Sequence, residues 1–73
     1  MNNFPSREII ERLRSEYPQG CIVKLIKMDD PQAPPLGTLG VVLGVDDIGS
    51  IMVSWRTGSS LSIVYGEDLC QRV

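Results

Sequence analysis

Asp29-Asp30-Pro31-Gln32-Ala33-Pro34-Pro35-Leu36-Gly37-Thr38-Leu39-Gly40 separates two apolar, β-rich runs, and its reading decides the fold. Pro34 and Pro35 preset φ and lack amide donors, so the segment can continue neither a ladder nor a helix. Gly37 and Gly40 then permit a sharp turn into the next strand. A stiff acidic loop between strands predicts a small β-barrel with one ordered protrusion.

Upstream of the loop, Cys21 to Met28 reads as a strand, with Val23 and Leu25 alternating against Lys24. Ile22 and Ile26 leave its opposite face partly apolar, and the helix is expected to dock there. That helix runs from about Ser6 to Glu16, capped by Ser6 and ended by Pro18 and Gly20. Ile9, Leu13 and Tyr17 form its apolar stripe with Ile10 beside them, and Glu8 and Arg12 are spaced for an ion pair. At ~11 residues it must pack on its own barrel or on a second copy to be stable.

Downstream, Thr38 to Val45 reads as the second strand, and Gly40 and Gly44 within it suggest a bulge or bend. Asp46 to Gly49 is a hairpin turn, Ser50 to Trp55 the third strand, and Ser60 to Val64 the fourth. A short turn at Tyr65 to Asp68 leads to a last strand near Leu69 to Val73. Five short strands, one long first loop and one helix match a small SH3-like barrel of the mainly β class. Residues 1–18 are then an N-terminal helix and linker and 19–73 the barrel, within one domain.

The chain has 73 residues, no histidine and a net charge of −2, which sets up no general attraction to nucleic acid or anionic membrane. No apolar run approaches the ~20 residues of a spanning helix, and no signal-peptide layout opens the sequence, so a cytoplasmic setting is expected. Cys21 and Cys70 could meet if the first and last strands pair, and a disulfide there would be worth about 4 kcal/mol. Two free thiols acting as small apolar residues is the reading favoured without a secretion signal. Two cysteines without histidine do not complete a zinc shell.

Several elements together resemble one family. They are Met28 through Pro35, Gly37-x-x-Gly40-x-Val42, Val45-Asp46-Asp47-x-Gly49, Val53-x-Trp55 and Gly58-x-x-Leu61. The pattern resembles domain-of-unknown-function family 4314 from about Tyr17 to Asp68. The resemblance implies a bacterial, archaeal or phage setting and a fold, and names no activity. Arg56 stands where an acidic residue commonly follows the tryptophan. The Gly37-x-x-Gly40-x-Val42 element also resembles the core of KOW modules, which implies nucleic-acid binding as the competing function.

The residue set argues against an enzyme, with no catalytic residue and no cofactor expected. There is no histidine to act as a base near neutral pH, no nucleophile elbow and no phosphate loop. Asp29-Asp30 and Asp46-Asp47 are carboxylate pairs of the kind that can bind a cation, but aspartates before proline or glycine more often fix turns. No metal ligand is expected. Trp55 shares a register with Ile51 and Val53, which favours the core, and at a surface it would anchor a partner. The leading expectation is a module that binds a protein partner through Asp29, Asp30, Gln32, Asp46, Asp47 and Trp55. Pro31, Pro34, Pro35, Gly37 and Gly40 would hold the loop's shape. The phage setting extends this to an accessory protein that interferes with a host system. For nucleic acid, the candidate contacts are Lys24, Lys27, Arg56 and Arg72, sharing a face with the helix arginines, with Phe4, Tyr17 and Tyr65 besides Trp55 for stacking. The chain is expected to be a monomer or a helix-mediated homodimer.

Overall fold

Ser6 starts the first regular element: its hydroxyl accepts a hydrogen bond from the Ile9 amide at 3.3 Å, satisfying one orphan donor of helix α1, Arg7–Glu16. A computed structural model describes residues 5–73; Phe4, one of the stacking candidates, lies outside them. Five strands follow: β1 Ile22–Lys27, β2 Leu39–Val45, β3 Ser50–Trp55, β4 Ile63–Val64 and β5 Leu69–Arg72. All pair antiparallel in the order β4-β3-β2-β1-β5.

The sheet is open, which corrects the SH3-like barrel expected from the strand count. β4 and β5 are its two edges, and no ladder joins them. The turn after β4 supplies the reason. Asp68 Oδ2 accepts from the Val64 amide at 2.9 Å, and the Glu67 and Asp68 amides donate to the Val64 carbonyl. Both backbone groups of Val64 are thereby used within the turn and cannot pair with β5. β4 is cut to two residues, shorter than the expected Ser60–Val64.

Alternation places Val23 and Leu25 of β1, Val42 and Val45 of β2, Ile51, Val53 and Trp55 of β3, and Ile63 in one core. Ile10 and Leu13 close it from the helix side. The helix therefore packs on the Val23/Leu25 face, not on the Ile22/Ile26 face where docking was expected. Arg14 fastens the helix there, donating from Nε to the Val45 carbonyl and from Nη2 to Asp47 Oδ1 at 2.9 Å. Pro5 lies against Gly49 at the other end of the helix, so the β2–β3 hairpin holds it at two points. The stripe that a helix-mediated homodimer would use is occupied by the chain's own core. Ile22, Val41, Leu43 and Met52 stay exposed on the far face.

Smaller corrections follow the same geometry. The bulge in β2 falls between Val42 and Gly44, while Gly40 is regularly paired with Val23 and Trp55. Gly40 thus belongs to the sheet, and of the two loop glycines only Gly37 makes the turn, at φ 89°. The helix's exposed ion pair is Arg7–Glu11 at 3.5 Å rather than Glu8–Arg12. Two solvated pairs of equal spacing, each worth a few tenths of a kcal/mol, give the sequence no means to choose between them. Among the described residues no helix is long and apolar enough to cross a membrane.

Candidate recognition surface

The proline loop is built on hydrogen bonds to its own aspartate and to β1. Asp30 Oδ1 accepts from the Gln32 amide at 2.7 Å and its carbonyl from Ala33, which turns the chain at Pro31. Pro34 is buried, while Pro31 and Pro35 are exposed. The Gly37 amide then donates to the Leu25 carbonyl, and Leu25 donates to the Thr38 carbonyl, fastening the loop's return to the middle of β1. Thr38 Oγ1 donates to the Pro35 carbonyl at 2.6 Å. Asp29, Asp30 and Gln32 are left exposed on a backbone tied at both ends.

Two residues not singled out from sequence join them. β1 pairs with β5 so that Lys27 faces Leu69, which brings the Glu67-Asp68 turn beside Met28 and Asp29. Asp29, Asp30, Glu67 and Asp68 line one shallow cleft with Met28, Leu61, Ser62 and Val64. Lys27 borders a second, adjoining hollow with Asp29, Glu67 and Asp68. No ion pair among the described residues uses any of these four carboxylates. The signal for Glu67 and Asp68 was the β1–β5 pairing, which places the turn before the last strand against the end of the first.

The remaining expected site residues lie elsewhere. β1 and β2 are antiparallel, so Asp46 and Asp47 sit at the end of β2 opposite to the proline loop. Asp46 accepts from the Ile48 and Ser50 amides at 3.1 and 2.8 Å and fixes the hairpin, while Asp47 pairs with Arg14. Trp55 is 2% exposed and donates from Nε1 to the Leu61 carbonyl at 2.8 Å, so it supports the Leu61–Ser62 wall of the cleft from inside. Among the described residues no group of three or more potential ligands is placed to hold a metal.

The candidate nucleic-acid contacts do not form one field. Lys24 and Arg56 flank Leu39 across three strands. Lys27 opens on the acidic hollow, and Arg72 donates to the Glu16 carbonyl at the helix end.

Both cysteines are free. Cys70 faces Leu25 in the ladder, and Cys21 precedes β1. Burial pushes the Cys70 thiol up to about 11, with Cys21 adding to the shift and the Tyr17 hydroxyl, donating to the sulfur, opposing it. Tyr17 is raised too, first by burial and then by Cys70 and Glu16. A raised acid favours the fold while protonated. Its contribution is therefore complete below the ordinary thiol value of 9.0 and is lost as pH rises through about 11. Thermal melts are expected to hold steady up to pH 9.0 and to fall towards about pH 11, with Cys70→Ala flattening the decline. A midpoint unchanged over that range would show that the thiol does not feel the core.

The model of one family, described as Domain of unknown function (DUF4314), matches residues 6–73. No curated protein matches the chain, and no solved structure does.

Proposed function

We propose that this chain, which belongs to the DUF4314 family, is a non-enzymatic module that binds a protein partner through the acidic rim at the proline loop. One observation carries the reading: Asp29, Asp30, Glu67 and Asp68 stand together without an ion-pair partner among the described residues, on backbone already fixed by hydrogen bonds. A surface that is rigid before contact loses little entropy on binding. Its charge favours lysine- and arginine-bearing segments and raises their association rate. The same charge repels phosphate, which weighs against the KOW-like alternative. The half-buried thiol of Cys70 stays protonated at neutral pH and so is a poor nucleophile, in keeping with a binding role. Free thiols fit a reducing compartment, the cytoplasm.

The test neutralises the rim while keeping its turns. Asp29→Asn, Asp30→Asn and Glu67→Gln remove charge and retain oxygen acceptors. Immobilised wild-type chain is expected to retain a partner from a host lysate that the triple variant loses, with both melting alike. Equal retention by the variant would sink the reading. Duplex or single-stranded nucleic acid captured instead, with steep salt dependence, would put the competing function in its place.

A further inference from the structure

The seam left open between β4 and β5 is a groove of about 380 Å3. Leu13 and Tyr17 of the helix, Ile63 and Tyr65 after β3, and Leu69 and Cys70 of β5 make it apolar. Its size falls within the roughly 300–1,000 Å3 range of ligand-sized clefts. Tyr65 and Leu69 are 48% and 54% exposed at its mouth. Asp68 lines this groove and also both hollows of the acidic rim, so apolar and acidic surfaces run into each other without a break. β5 pairs with β1 along one side only. β4 cannot claim the other side, because Val64 has spent its amide and carbonyl on the Glu67-Asp68 turn.

We propose that the groove takes an extended segment of a partner protein in which an apolar, β-forming stretch adjoins a run of lysine or arginine. The apolar stretch lies extended along the groove, seating side chains between Tyr17 and Tyr65 and against Leu69. The basic run passes Asp68 and meets Glu67, Asp29 and Asp30. Charge selects this occupant: an uncharged strand would fill the groove but leave four carboxylates unmatched, and a purely basic segment would leave the apolar seam wet. The inference rests on the rim reading above and specifies the partner's chemistry.

The probe is a fluorescein-labelled peptide, Val-Thr-Val-Thr-Lys-Lys-Lys, titrated into the full chain and followed by anisotropy. It is expected to bind about tenfold or more tightly than heptalysine or Val-Thr-Val-Thr-Glu-Glu-Glu, a difference of about 1.4 kcal/mol. Tyr65→Ala and Leu69→Asn, both at exposed positions, are each expected to weaken it about tenfold. Heptalysine binding equally well, with Tyr65→Ala silent, overturns the groove and leaves the rim reading standing. The glutamate-ended peptide binding equally well, with the neutralised rim variant silent, overturns the rim reading and this inference with it. Failure of both cationic peptides to bind sinks the two together.

Discussion

Trp55→Ala is expected to leave the chain unfolded at 25 °C. The indole is 2% exposed and sits across from Gly40, covering a strand position that has no side chain of its own. Its Nε1–H also holds the Leu61 carbonyl at 2.8 Å, tying the β3–β4 connection to the core. Deleting a buried tryptophan costs about 3–5 kcal/mol, and a core of this size supplies about the same net stability. Trp55→Phe keeps most of the apolar volume and gives up the hydrogen bond, a loss of about 1–3 kcal/mol that a folded chain can survive. Far-UV circular dichroism and an amide correlation spectrum distinguish the two. A cooperative, native-like melt for Trp55→Ala would mean the indole is not a structural support. It would then return to consideration as a contact residue.

The sequence carried enough to place every element but not the way their edges end. Periodicity put Val23, Leu25, Ile51, Val53 and Trp55 on one side, and Ser6 with Pro18 bounded the helix. Closure depended on whether Val64 had free backbone groups, and the acid that takes them, Asp68, looks in sequence like any turn aspartate. The helix was expected on the wrong side, the Ile22/Ile26 face, because β1 is apolar on both faces. Ile10 and Leu13 join the Val23/Leu25 core, and Arg14, reaching residues 31 and 33 positions away, fastens the helix there. The two aspartate pairs read alike, yet Asp46 and Asp47 serve the hairpin and the helix, while Asp29 and Asp30 face solvent beside Glu67 and Asp68. Asp30 and Asp46 each accept from a nearby amide, so the pairs part at the cation alone: Arg14 reaches Asp47, and no ion pair among the described residues uses Asp29 or Asp30.

Gly40→Ala is expected to destabilise the chain by about 3 kcal/mol, at the upper end of overpacking costs. A methyl placed there would stand 2.5 Å from Val53 Cγ1, 2.7 Å from Trp55 Cε3 and 3.1 Å from the Ser54 carbonyl. Val53 is fully buried and Trp55 is held by its hydrogen bond, so neither can yield by simple rotation into solvent. The backbone at Gly40 is ordinary strand, which makes this a test of close approach alone. Gly37→Ala is the contrast. It meets no neighbouring atom but carries φ 89°, and is expected to cost only about 1–2 kcal/mol from left-handed strain. Urea denaturation of the two variants ranks the effects directly. The order Gly40 above Gly37 follows only if the sheet, with the indole laid against a bare stretch of β2, bears the loop. The reverse order would mean that the proline turn holds the rim by itself, and that the rim's geometry does not depend on the core beneath it.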